Sequence, residues 1–241
     1  MRDLSDNIAL VTGATSGIGG AIAADLARRG VTLCLVGRNR EKLERLSEQL
    51  YAGTSRIYAF QADLTVDEEI ESLSSSLHQV SEHLDILVHS AGVFSMGSCE
   101  SSSIEDLDLQ YRTNVRAPYL LTQSLLPLLR QRRGQIVFIN SSAGVAARAL
   151  VGQYSASKHA LKAFADSLRQ EVNGEGIRVI SIFPGRTATP MQARVHEMEG
   201  KEYLPERLMK PQDVAEVVAD VLSLPLSAEV TDIHIRPSRK D

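Results

Sequence analysis

Short apolar runs and helix-patterned stretches alternate along nearly the whole chain, and few folds accept that order. NIALVT (7–12), TLCLV (32–36), RIYAFQ (56–61), DILVHSAG (85–92), QIVFIN (135–140), RVISIF (178–183) and DIHIR (232–236) read as strands from their length and flanks. Between the first two, Ile18, Ile22 and Leu26 make one helical stripe that Gly30 stops. Asn39 is placed to cap a helix carrying Leu43, Leu46 and Leu50, and Thr65 with Glu68 makes a capping box for a polar helix through about His78. A long helical region follows from about Ile104 to Arg130, with Pro118 a kink and Pro127 a second interruption. Further helices are expected from Gly152 to about Glu171 and, opened by Pro211, through Ser223. Strands that alternate with helices throughout imply an α/β fold with one doubly wound parallel sheet. No linker, repeat or low-complexity segment breaks the pattern, so residues 1–241 read as a single domain.

Composition narrows the partners. A net charge of −4 argues against nucleic acid and against an anionic membrane surface. The apolar runs fall far short of the ~20 residues a membrane span needs, and MRDLSDNIALVTGA enters a strand too directly for a signal peptide. Cys34 and Cys99 are far apart, which speaks against a disulfide framework, and Cys34 reads as a packing residue. The six histidines form no ligand cluster. We expect no metal and a reduced, cytoplasmic compartment.

The turn between the first strand and first helix, Thr12-Gly13-Ala14-Thr15-Ser16-Gly17-Ile18-Gly19, is where a doubly wound sheet holds a dinucleotide pyrophosphate. Its glycines fall at 13, 17 and 19, so it is not the plain G-x-G-x-x-G spacing. The bland reading is a turn kept small for packing, but the flanking strand and helix favour a nucleotide. After the second strand stands Gly37-Arg38-Asn39, with no carboxylate before Glu41. An acidic residue there would suit NAD, whereas an arginine suits the 2′-phosphate of NADP. NADP(H) is therefore favoured over NAD(H), with a solvated loop arginine as the alternative.

Tyr154 and Lys158 lie four apart on a helix and so share a face, with Ser141 at the end of the preceding strand. A nearby ammonium favours phenolate and would lower a reference pKa of ~10 toward the range useful for acid–base work. With six tyrosines and six lysines, such a pair arises by chance in roughly one comparable sequence in seven, so it carries little alone.

Taken together, TGATSGIG in front and Ser141, Tyr154 and Lys158 behind resemble the short-chain dehydrogenase/reductase family in its single-domain form. Ser141 stands thirteen residues before Tyr154 and three before Gly144, as the family's serine does, although Ser142 competes for the role. The resemblance implies a Rossmann-type sheet of about seven strands with helices on both faces. It implies Tyr154 as the catalytic acid/base, Lys158 lowering its pKa and bonding the nicotinamide ribose, and Ser141 positioning the substrate carbonyl. Asn114 would hold a water that joins Lys158 to solvent. Asp63 and Leu64 would meet the adenine, Ala91 and Gly92 its ribose, and Pro184, Gly185, Thr187 and Thr189 the nicotinamide. Gly13, Thr15, Ser16, Gly17, Ile18, Gly19, Arg38 and Asn39 would complete the cofactor set. A homotetramer or dimer built on the long helices is also implied.

Two departures stand out. His89-Ser90-Ala91-Gly92 replaces the family's Asn-Asn-Ala-Gly, and His89 at the end of a buried strand reads as structural rather than as a base. The ending EVTDIHIRPSRKD lacks the common Val-Asp-Gly-Gly.

The expected reaction is NADPH-dependent reduction of a carbonyl (a ketone, aldehyde or 3-oxoacyl group) or the reverse oxidation of an alcohol. The alternative is an NADP(H) sensor or scaffold on the same fold without turnover. Residues 188–209 have no clean period and read as a substrate lid. Met191, Met198 and Met209 fit an adaptable apolar pocket or plain core. Arg148, Arg186 and Arg194 fit either an acidic substrate or an exposed surface.

Overall fold

A computed structural model describes residues 2–51 and 56–238. Seven strands form one sheet among them: β1 (Ile8–Thr12), β2 (Thr32–Gly37), β3 (Ile57–Gln61), β4 (Ile86–His89), β5 (Gln135–Ile139), β6 (Arg178–Pro184) and β7 (Asp232–Ile235). Every pairing is parallel and the order is β3-β2-β1-β4-β5-β6-β7. This is the Rossmann-like arrangement expected. The order reverses between β1 and β4, which is where such sheets open a crevice at their carboxyl ends.

The five inner strands are buried on both faces because both faces are covered, while the edge strands β3 and β7 are partly exposed. Successive side chains alternate: Ala9 and Val11 join the core under helices α1 (Gly17–Arg28) and α8 (Pro211–Leu222), while Leu10 joins the opposite one. That second core packs α3 (Asp67–Val80), α5 (Ala117–Arg132) and α6 (Gly152–Val172) on the other face. Cys34 is fully buried there, a packing residue as read from the sequence. Among the described residues no helix is long and apolar enough to cross a membrane.

Three local expectations change. Asn39 does cap α2 (Arg40–Leu50), accepting from the Lys42 N–H at 2.8 Å. Thr65, however, makes no capping box: α3 begins at Asp67 with Val66 before it and no side-chain cap. Asp63 takes both Thr65 donors, its N–H at 2.9 Å and its hydroxyl at 2.8 Å, so that hydroxyl turns away from the helix. The long helical region is not one kinked helix either. α4 (Ile104–Tyr111) passes through a π-turn at Arg112–Arg116 into α5, and Pro118 sits in the first turn after it. The irregular segment before α8 contains a helix of its own, α7 (Pro190–Met198). The last three residues of the atypical ending, 239–241, lie outside the described residues.

Candidate active site

The phosphate end is built from backbone. Gly13 has φ +65° and a Cβ there would stand 2.8 Å from the Ala91 Cα. A Cβ on Gly19 would stand 2.5 Å from the Gly13 carbonyl oxygen. No larger residue fits either place without moving main chain. Thr12 ties this turn to β4: its hydroxyl accepts from the N–H groups of Ser90 (3.0 Å) and Ala91 (3.1 Å) and donates to the Val88 carbonyl (3.3 Å). The Thr12 hydroxyl thus holds the main chain of Ser90 and Ala91 without the asparagines the family usually has there. Thr15, Ser16, Gly17 and Ile18 line the cleft with them, at the N–H-rich start of α1.

Arg38, Asp63 and Leu64 line the far end, at the tips of β2 and β3. Burial alone would raise the Asp63 carboxyl. The two bonds from Thr65 and the Arg38 charge outweigh it and hold the group below its ordinary value. Asn39 is not part of the lining, since its side chain is spent on the α2 cap.

Ser141, Tyr154 and Lys158 line the other end together, with Ser142 outside the lining. Tyr154 is 9% exposed, packs edge to face on Phe94 at 4.8 Å, and bonds Ser141. Here the expected sign is reversed. Burial pushes the phenol above its ordinary value, and the Ser141 bond opposes this only in part. Burial also draws Lys158 down to about 8. The ammonium lies 5.9 Å from the Tyr154 ring centroid and donates to the Ile139 carbonyl at 3.1 Å, so desolvation prevails over its field at the phenol.

Asn114 is fully buried in the π-turn, behind the lining. Its amide accepts from the Val93 N–H and donates to the Val93 carbonyl and the Ser157 hydroxyl, each at 3.0 Å. The side chain's donors are therefore taken. His89 is buried, bonds the Thr122 hydroxyl at 2.8 Å, and stacks on Phe138 at 4.9 Å. Burial takes its pKa down to about 3, the behaviour of a neutral structural histidine.

Sequence reasoning missed Asn140. Its Oδ1 accepts from the Ser141 N–H at 2.8 Å and its Nδ2 donates to the Lys158 carbonyl at 3.1 Å, bracing the strand end against α6. The Lys158 partner, eighteen residues on, leaves no local pattern. Thr113, also missed, lines the cleft with its hydroxyl buried and unpartnered.

The lid closes the remaining side. Pro184, Gly185, Thr187 and Thr189 line the cleft. Thr189 caps α7 through the Gln192 N–H at 3.1 Å, and its methyl lies 3.2 Å from the Cβ position of Gly17. Of the three methionines, Met191 faces the cleft, Met209 is core and Met198 is 48% exposed. Of the three arginines, Arg194 alone lines the cleft, Arg186 pairs with Glu199, and Arg148 is exposed elsewhere.

A nicotinamide dinucleotide fits these residues. The glycine cradle admits main-chain contact with a diphosphate, Arg38 offers a guanidinium at the far end, and Thr113 presents an unmet hydroxyl between.

Residues 7–200 match the family model described as short chain dehydrogenase. An uncharacterized oxidoreductase of Staphylococcus epidermidis is 32% identical over 238 residues, covering 98% of this chain and all of the relative. An alcohol dehydrogenase of the archaeon Thermococcus sibiricus, solved with 5-hydroxy-NADP, superposes with a TM-score of 0.89 at 26% identity, covering 98% of each chain. The closed form of a serine dehydrogenase solved with NADP⁺ gives a TM-score of 0.87 at 28% identity, over 97% of this chain and 96% of that one.

Proposed function

Because the chain belongs to the short-chain dehydrogenase/reductase family of oxidoreductases, we propose that it is an NADP(H)-dependent enzyme interconverting a carbonyl and an alcohol. The observation that carries this is the shared cleft: Ser141, Tyr154 and Lys158 line the same cavity as the phosphate turn. NADPH, when bound, supplies the hydride. Tyr154 gives the proton from its Oη to the carbonyl oxygen, which the Ser141 hydroxyl holds in place. A phenol raised by burial stays protonated at neutral pH, the form that reduction requires. Lys158, cationic below about 8, stabilises the phenolate left behind. Asn114, buried behind the lining, would hold the water through which solvent returns the proton.

Arg38, in the cleft lining with no carboxylate after it before Glu41, supports NADP over NAD. The NADP forms bound by the two structural neighbours support the same choice. We also expect a homodimer or homotetramer, supported by the exposed Ile104, Leu109 and Tyr111 on α4 and Tyr119 on α5.

The test is NADPH oxidation across a panel of ketones, aldehydes, oxo acids and 3-oxoacyl thioesters. Tyr154→Phe should lower turnover by roughly 10²–10⁴-fold and leave NADPH binding intact by fluorescence titration. Substantial activity in that variant rejects the role of Tyr154. Tight NADPH binding with no oxidation of any panel member would instead indicate a sensor.

A further inference from the structure

Arg186, just before the lid, and Lys201 and Arg194 within it differ in their commitments. Arg186 donates to Glu199 Oε1 at 2.5 Å, and Lys201 bonds Glu199 Oε2 at 3.1 Å. Arg194 is exposed, lines the cleft, and has no ion-pair partner among the described residues. Its helix is well fixed: Thr189 caps it, and Val195 and His196 are buried beneath. Met191 and Arg194 are three apart and share a face, and both line the cleft.

Charge along the cleft is uneven. Among the described residues Asp63 is the one carboxylate in the lining, and it lies within the field of Arg38 at the adenine end. Lys158 and Arg194 have no acidic counterpart there. The diphosphate already has the α1 N-terminus. Thr189 packs on Gly17 at that turn, and five residues of α-helix carry Arg194 roughly 7 Å farther along the axis.

We propose that Arg194 recognises a carboxylate on the substrate, so that the enzyme acts on an oxo acid/hydroxy acid pair. The inference rests on the oxidoreductase reading above and names its substrate class. The ketone carbon takes hydride from NADPH and its oxygen takes the Tyr154 proton. The products are the hydroxy acid, NADP⁺ and a tyrosinate that recovers its proton from solvent. The carboxylate stays ionised throughout, and Met191 beside the guanidinium receives a short carbon chain.

Matched acids and esters test this: acetoacetate against methyl acetoacetate, and 2-oxobutyrate against its methyl ester. Wild type should prefer an acid to its ester. Arg194→Leu should lower kcat/KM for that acid roughly tenfold to a hundredfold, through KM, while the ester changes less than about twofold. Arg194→Lys should restore part of the loss. NADPH affinity, read by fluorescence, should be unchanged in both variants. An ester preference in wild type overturns the proposal. Weaker NADPH binding in Arg194→Leu with acid and ester affected alike also overturns it, by placing Arg194 on the dinucleotide. If none of the four compounds oxidises NADPH, calorimetry on the NADP⁺-loaded protein decides. Arg194-dependent binding of the acids upholds recognition and rejects the reaction, whereas no binding rejects recognition as well.

Discussion

On the floor of the cleft, Asn140 ties the Ser141 N–H to the Lys158 carbonyl, Lys158 donates to the Ile139 carbonyl and Asn114 brackets the Val93 main chain, through buried or part-buried hydrogen bonds of 2.8–3.1 Å. On the lid, Arg186, Glu199 and Lys201 are joined by ion pairs whose side chains are 35%, 18% and 62% exposed. Buried polar groups must be satisfied or they cost about 1–3 kcal/mol each, while exposed pairs contribute about 0–1 kcal/mol. The contrast separates two jobs. On the function proposed above, chemistry is fixed by groups that have one arrangement, and choice of substrate is left to groups that can be exchanged cheaply.

The hardest blow to the floor should be Gly19→Val, whose Cβ would stand 2.5 Å from the Gly13 oxygen. NADPH affinity should fall roughly a hundredfold, read by fluorescence titration; wild-type binding would show that the floor yields as readily as the lid. Next comes Asn140→Ala, which leaves the Ser141 N–H and the Lys158 carbonyl without partners. Turnover should fall roughly tenfold or more, with a loss of about 1–3 kcal/mol in denaturant stability.

The pH profile gives a smaller effect. Burial lowers Lys158 to about 8, so its ammonium is present below that pH and lost above it. kcat/KM should therefore decline by roughly tenfold per unit above the break, and Lys158→Arg should move the break upward if the variant remains active. His89, at about 3, should add no break near neutrality. Smallest is Glu199→Gln, which releases Arg186 and Lys201. KM for substrate should change a few-fold and stability by no more than about 1 kcal/mol. A stability loss as large as that of Asn140→Ala would erase the distinction between the two regions.

The same contrast explains what the sequence made legible. The seven strands, the glycine turn and the Tyr154–Lys158 face follow from local periodicity and helix spacing, so they could be read directly; the order of the strands in the sheet could not. Asn140 could not, because one of its bonds reaches across eighteen residues to Lys158. The π-turn at Asn114 was equally hidden: Pro118 announced an irregularity, but its form depends on Val93 and Ser157. Thr65 failed as a cap because Asp63, two residues before it, takes both its donors. α7 escaped because only Val195 and His196 of its residues are buried, too few to make a stripe. The acidity of Tyr154 was misjudged since spacing reveals the neighbouring charge but not the desolvation that outweighs it.

The lid also has a narrow neck. Met209 donates its N–H to the Arg186 carbonyl at 3.2 Å, and Ala188 donates to the Met209 carbonyl at 2.8 Å. Those two bonds, with the isolated bridge between Thr187 and Met209, close the segment on itself where it leaves β6. Whatever lies between can lengthen, shorten or change its charge without pulling on the sheet, because loop length costs little once the ends are joined. If residues 188–209 choose the substrate, as proposed above, a transplant cut at that neck that keeps Thr189 and Met209 should redirect the scaffold to another molecule while leaving its acid and amine untouched.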